Sequence, residues 1–453
     1  MTPLLLALAG LFLTQLLARK TTDDLFVRRT VVAAYLFKVT VTVLLYVISA
    51  WGLPILSAYQ RGGGIWSFAW DSAVYHTLGK RVADALGAGV PLPPLGTEWP
   101  GDLYTGLIYT LLGAHFLHAA LLNAWYGSFS ALLAYRIARR FTADLWSRRL
   151  SVFLVAFWPS LVLWSTQLLK EPLAIFLILS EFSLFIAFWE NPRGSSFMRV
   201  LYLGAAALIV FLLTLFRVYI GVAFAATSVA ALLASGLAAV WKRRAGSLPK
   251  ATILTAALTL AVLLGLLATS HDLLSYLSPT RVRPEAASLP EYLGLLRKDV
   301  LKQSGTSNLD PQVRIRTFPQ LLGYLPRGLA FLFFGPFPWR SLSIGNRGFL
   351  FGLAGVETLM NYLFLPAIGL CFRTLWKSRE AKGWLLLSFV FLLAGPLAVA
   401  VPNMGTLFRL RLQLFVPLAV LLASTESFSR AYPWLFRAFL RAPSETVSVA
   451  RKG

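Results

Sequence analysis

The sequence predicts an all-α polytopic membrane protein with about 11 transmembrane helices and further interfacial helices in its outer loops. Three observations carry that prediction. Hydrophobic residues make up 57% of the 453 and charged residues only 13%, against roughly 25% charged in soluble domains. Mean hydropathy is +0.68. Apolar runs of about 20 residues, the length that crosses a bilayer, recur along the chain. They do not alternate every second residue, as barrel strands would. The net charge of +23 falls in clusters at the ends of these runs. Examples are Arg19/Lys20/Arg28/Arg29, Arg136/Arg139/Arg140/Arg148/Arg149, Lys242/Arg243/Arg244 and Arg373/Lys377/Arg379/Lys382. That is the positive-inside pattern. No basic domain stands apart from the spans, so nucleic acid is not an expected partner. The single Cys371 allows no disulfide within one chain.

With every basic cluster placed in the cytoplasm, the topology closes. Residues 3–18 run inward, with no basic n-region and no cleavage site to make them a signal peptide. Residues 31–53 return outward, and Lys38 near their inner end can snorkel to water. Residues 54–102 form an outer loop rich in Gly, Pro and Trp. Residues 103–116 are short and carry Tyr104, Tyr109 and His115, which suits a helix lying at the outer interface. Spans are expected at 117–137, 150–166, 171–190, 199–216, 218–241 and 251–269, with a tight outer turn at Gln167–Lys170. Residues 270–348 form the largest outer segment. Pro279, Pro284, Pro290 and Pro311 break its first part, and 326–340 reads as a re-entrant or interfacial helix that protein must cover. Spans at 349–372, at 384–401 and from Leu407 follow, then a basic cytoplasmic tail. The expected organisation is a transmembrane module over 1–269 with its first outer loop at 54–116. The outer segment 270–348, the C-terminal helices 349–424 and the tail 425–453 complete it. Hydropathy suggests no internal repeat.

Ionisable groups near hydrocarbon are costly and mark candidate sites. At the outer level stand Asp71, Lys170, Glu171, Arg217, Glu357, Arg409 and Arg411. A carboxylate near the apolar layer holds a proton more readily, which suits a general base for a hydroxyl nucleophile. Guanidinium groups grip phosphate with two oxygens at once. The combination predicts transfer from, or onto, a lipid-borne phosphate at the outer face. Asp71 and Glu171 are the catalytic candidates; Tyr75, Lys170, Arg217, Arg409 and Arg411 are the substrate- or phosphate-binding ones. Blander roles compete. Asp71 and Glu171 suit helix starts, Lys170 suits an interfacial anchor, and Glu357 suits a partner for one of the two arginines. His76, His115, His118 and His271 have no metal-ligand spacing.

The stretches Trp70-Asp71-Ser72-Ala73-Val74-Tyr75 and Leu169-Lys170-Glu171-Pro172-Leu173-Ala174-Ile175-Phe176 carry a family likeness. With an Asp-bearing first outer loop and an acid before Pro at a later span, the chain resembles the GT-C superfamily of polyprenyl-phosphate-sugar-dependent glycosyltransferases. The likeness covers roughly residues 30–240 and is strongest to the protein mannosyltransferase and aminoarabinose transferase branch. It implies that Asp71 is the base or acceptor-binding acid, that Glu171 is the second acid, and that transfer inverts the sugar. It implies a polyprenyl-phosphate-linked sugar as donor and a glycan, lipid or protein as acceptor. Ser72 stands where related enzymes often carry another acid, so no cofactor is called for and a divalent metal is left open. In a bacterium the site would face the periplasm from the inner membrane. A lipid-linked polysaccharide polymerase or ligase and a lipid-linked saccharide transporter are the rival readings.

Overall fold

The computed structural model describes residues 2–95, 99–190, 196–228, 288–303, 307–337, 348–378 and 381–433. The expected span at 251–269, His271, most of 218–241, the first part of the outer segment and the tail beyond 433 lie outside the described residues.

The chain opens with α1 (Pro3–Thr21) and α2 (Leu25–Ala50). A short two-stranded hairpin, β1 (Gln60–Gly62) and β2 (Ile65–Trp66), follows in the loop. Next come α3 (Asp71–Ala88), α4 (Trp99–Leu112) and α5 (Phe116–Phe141). The bundle continues with α6 (Leu145–Ala156), α7 (Pro159–Ser165), α8 (Glu171–Glu190), α9 (Ser196–Phe216) and α10 (Val218–Ser228). The outer segment supplies α11 (Leu289–Gln303) and α12 (Phe318–Phe334). The chain closes with α13 (Gly348–Tyr362), α14 (Phe364–Ser378), α15 (Ala381–Ala400), α16 (Met404–Leu410), α17 (Leu412–Ser424) and α18 (Ser427–Ala431).

Among the described residues, five helices are long and apolar enough to cross a membrane, or up to seven if each bent pair is one span. One bent pair is α4 and α5, which meet at 110°. The expected 103–116 helix therefore ends four residues early, and Phe116 belongs to the span. His115 makes this boundary by capping α5 through Nδ1, which accepts from Leu117 N at 3.2 Å.

The last span is the hub. Every residue of α17 is buried, as expected of a helix that is apolar all round. It packs on α5, α6, α8, α14 and α15. The C-terminal helices are thus threaded through the N-terminal ones. This brings residues from opposite ends of the sequence together.

The expected fourth span is broken. Its first half ends at Ala156 and its second begins at Pro159, whose ring lacks an N–H and starts a new helix. Backbone groups freed inside an apolar layer need partners. Here two charged side chains supply them. Lys38 Nζ donates to the Ala156 carbonyl at 2.6 Å, and Ser160 N donates to Glu357 Oε2 at 3.0 Å. A cation thus meets the C-terminal end of α6 and an anion the N-terminal end of α7, the signs each helix end favours. Lys38 is 0% exposed. The snorkelling expected from sequence does not occur, because the break gives the ammonium an acceptor inside the bundle.

The structure also exposes a repeat that hydropathy hides. Thr22-Asp23-Asp24-Leu25-Phe26-Val27-Arg28-Arg29 and Thr142-Ala143-Asp144-Leu145-Trp146-Ser147-Arg148-Arg149 form the same turn. In each, the Thr hydroxyl accepts from the Asp N–H at 3.0 Å, and the Asp caps the next helix. The first Arg closes the turn on the Thr carbonyl, at 2.6 Å and 2.8 Å. The two turns are joined by Arg149, which holds Asp24 through Nε at 2.9 Å and Nη2 at 3.1 Å. The repeat is short and its flanking helices differ, so no hydropathy window registers it.

Candidate functional site

Asp71 is set by the loop before it. Ser49 Oγ donates to the Ile65 carbonyl at 3.0 Å, and Trp66 Nε1 donates to the Leu45 carbonyl at 3.2 Å. These bonds fasten the hairpin to α2, and α3 starts directly afterwards. The N-cap position of α3 is Trp70, not Asp71. The Asp71 carboxylate is therefore not the cap; it turns to a guanidinium 338 residues away in sequence.

Tyr75 lies one turn further along α3 and is buried. Helices α3 and α4 approach closely at Gly79 and Gly106, where any Cβ would strike Thr105 or Val82. His76 Nδ1 lies 2.7 Å from the Tyr109 hydroxyl and ties the same pair. Burial, then Lys80 and His115, hold the His76 imidazole below its usual pKa.

Glu171 is set by α5. Asn123 Nδ2 donates to the carbonyls of Gln167 and Leu169, each at 2.7 Å. This fixes the turn before α8, and Glu171 opens that helix with its side chain 1% exposed. Arg217 sits in the turn between α9 and α10, where its N–H closes on the Leu213 carbonyl at 2.7 Å.

Arg409 is set by residues 307–309. Residues 307–309 run antiparallel to 402–404: Leu309 N meets the Pro402 carbonyl at 2.6 Å and Met404 N the Ser307 carbonyl at 3.0 Å. Asn403 then caps α16 by accepting from Thr406 N at 2.9 Å. The last turn of α16 presents Arg409.

These four side chains form one network. Arg409 Nη1 donates to Asp71 Oδ2 at 2.6 Å, and Arg409 Nε lies 3.2 Å from Glu171 Oε1. Arg217 Nη2 donates to the same Glu171 oxygen at 2.8 Å. The two acids balance the two guanidinium groups. Exposure falls from 35% at Asp71, through 17% at Arg409 and 12% at Arg217, to 1% at Glu171. The network therefore opens to solvent at Asp71 and closes at Glu171. Lys170 places Nζ 5.4 Å from the centre of the Tyr75 ring, a cation–π contact that flanks the network. Tyr219, two residues after Arg217, donates to Gln413 Oε1 at 2.9 Å.

Arg411, expected beside Arg409, is not brought into this network. Successive residues turn by about 100° on a helix, so positions two apart face opposite sides. Arg411 is 1% exposed and pairs with Glu357 at 3.1 Å, itself 0% exposed. It also donates to the Gly335 carbonyl. The pair stands beside the α6–α7 break and is fully committed to the fold. Replacing Glu357 by Ala is expected to cost about 3–5 kcal/mol by stranding Arg411. Thermal unfolding in detergent checks this, and joint replacement of Glu357 and Arg411 by Leu and Met should recover only part of the loss, because Ser160 N loses its Glu357 acceptor and the Gly335 carbonyl its Arg411 donor.

Near Tyr75 stands a buried acid outside the expected set. Asp102, in the first turn of α4, is 0% exposed and follows Gly101, which packs on the Tyr75 ring. The signal was Trp99-Pro100-Gly101-Asp102, a helix start that the sequence reading assigned to the loop. Among the described residues, no three His, Cys, Asp or Glu side chains form a group that could hold a metal ion.

No family model and no curated protein matches this chain. Solved structures do, among them two oligosaccharyltransferases. One is the archaeal oligosaccharyltransferase AglB from Archaeoglobus fulgidus in complex with an inhibitory peptide and a dolichol-phosphate. It matches with TM-score 0.51 and 14% identity over 91% of this chain and 52% of that one. The other is the Archaeoglobus fulgidus oligosaccharyltransferase in the apo form, with TM-score 0.51 and 14% identity over 93% of this chain and 52% of that one. This chain spans about half the length of each. At this identity the likeness is one of fold, and the chain has a helical, GT-C-like membrane fold.

Proposed function

We propose that this protein is an integral membrane glycosyltransferase that moves a sugar from a polyprenyl-phosphate donor to an acceptor hydroxyl, with inversion. The observation that carries the reading is the Asp71–Arg409–Glu171–Arg217 network, drawn from four separate elements and open to solvent at its acid end. Supporting it, the matched AglB structure holds a dolichol-phosphate, a lipid phosphate of the class proposed here. The residues around Asp71 and Glu171 point within the fold to the mannosyltransferase and aminoarabinose transferase branch.

The geometry suggests a sequence of events. At rest Arg409 is neutralised by Asp71 and Glu171. An arriving lipid phosphate competes with Asp71 for Arg409, because both offer oxygens to one guanidinium. Asp71, at the exposed end, gives way, while Glu171 stays fixed by Arg217. Freed of its cation, Asp71 becomes the stronger base. The acceptor oxygen then attacks the anomeric carbon, its proton passes to Asp71, and the sugar–phosphate bond breaks. The lipid phosphate leaves as the anion, held by Arg409 and Arg217.

The test is transfer in membranes supplied with radiolabelled polyprenyl-phosphate sugars. Transfer by wild type and its loss in Asp71→Asn at equal expression is the expected result. Equal transfer by both would sink the base assignment and favour a polymerase or ligase. A second reading, transport of a lipid-linked saccharide, draws on the α6–α7 break, since transporters use broken helices at their sites. Flipping of a labelled lipid-linked saccharide in proteoliposomes, with no transfer, would favour it.

A further inference from the structure

The outer segment holds a second cluster of charged groups, apart from the network above. A cavity of about 380 Å³ lies between one face of α11 and the extended residues 313–316; Glu291, Arg297, Lys298, Arg314 and Arg316 are among its lining. Arg297 is its wall. It is 1% exposed, its guanidinium stands 4.7 Å from the Tyr324 ring centre, and it donates to the carbonyls of Val399, Leu309 and Asp310 at 3.1, 2.7 and 2.9 Å.

Lys298, Arg314 and Arg316 differ from it. All three are exposed, and among the described residues none has an ion-pair partner. Neighbouring cations are neutralised, Arg327 by Asp310 at 2.6 Å and Lys302 by Asp299 at 3.4 Å. With Arg297, Lys298, Arg314 and Arg316 against the one carboxylate of Glu291 in its lining, the cavity is net cationic, and an anionic ligand relieves the repulsion. The volume lies in the range of roughly 300–1,000 Å³ that small-ligand sites occupy.

The lining narrows the class of anion. Leu295, Leu301, Val313 and Ile315 also line the cavity, buried or half-buried between the charged groups, so its apolar surface is broken into short patches. Arg314 and Arg316 stand on one wall and Lys298 on the other. This suits a ligand whose ring faces rest on short apolar patches and whose charge is carried on side groups.

We infer that this cavity binds an acidic saccharide, a glycan bearing carboxylate or phosphate groups. The inference does not depend on Asp71 and goes beyond the transfer reading. A glycan bound here rests on the strap that seats Arg409, because Arg297 holds Leu309, and Leu309 pairs with Pro402 ahead of α16.

The full chain in neutral-lipid nanodiscs would be titrated with fluorescent tetragalacturonate, with maltotetraose as the uncharged control. Wild type is expected to bind the acidic sugar in a salt-dependent manner and to ignore maltotetraose. Arg314→Ala with Arg316→Ala should weaken binding by about tenfold or more, and Arg314→Lys with Arg316→Lys should retain most of it. Lys298→Glu, on the other wall, should also abolish it. Lys298, Arg314 and Arg316 are themselves exposed, so melting temperatures should match wild type. Equal binding by wild type and the double Ala variant would overturn the inference, as would failure of wild type to bind. Loss of the sugar from discs containing phosphatidylglycerol would make this a lipid site and overturn it too.

Discussion

Asp71→Asn is expected to lower sugar transfer by about 10²–10⁴-fold, the range general base catalysis supplies. The same change should tighten binding of the lipid phosphate. The reason is electrostatic. Asp71 and the incoming phosphate compete for Arg409, whose Nη1 lies 2.6 Å from Asp71 Oδ2. Asn keeps the shape and can still accept a hydrogen bond, but it no longer neutralises the cation. The pair is partly exposed, so its loss is worth about 1 kcal/mol, or about fivefold in affinity. Equilibrium binding of a fluorescent polyprenyl phosphate, run beside the transfer assay, separates the two effects. Weaker binding by Asp71→Asn would show that the acid helps to hold the donor, and the competition would be wrong.

Arg409→Ala should have the opposite effect on binding. It removes a side chain that touches both acids, while Arg217 stays paired with Glu171. Lipid phosphate affinity is expected to fall by about 2–5 kcal/mol, since a largely desolvated charge contact is lost. Transfer should fall with it. Arg409→Lys should rescue little, because an ammonium cannot present the planar fork that reaches two carboxylates and a phosphate. If Arg409→Lys restored both binding and transfer, a point charge would suffice and the forked geometry would be irrelevant. Circular dichroism and melting of each variant must match wild type, because Asp71 and Glu171 are left with less compensation. A protein that loses both acids' function yet keeps full lipid phosphate binding would count against Arg409 as the donor ligand.

Much of the architecture was legible in the sequence. Apolar runs marked helices α1, α2, α5, α8, α9 and α15, because hydrocarbon burial demands a set length of apolar backbone. Basic clusters marked the turns after α1 and α5, now seen as a repeated Thr-x-Asp turn. Asp71 and Glu171 stood out because acids beside hydrocarbon are costly. Other features were not legible. Pro159 did not by itself announce a broken helix, since prolines elsewhere, such as Pro396 in α15, sit inside intact ones. The break is held by Lys38 and Glu357, which come from distant parts of the chain.

The local sequence determined which long apolar runs are helical and which charges stand at the apolar boundary, because these depend on near neighbours and on solvent. Only the tertiary structure decided which charges meet. Arg409 and Arg411 are two residues apart and chemically identical, yet one faces Asp71 and Glu171 and the other is buried against Glu357. Their fates were set by the rotation of α16 against the bundle. Packing of the fully buried α17 and the strap at 307–309 fix that rotation, and no local pattern encodes it.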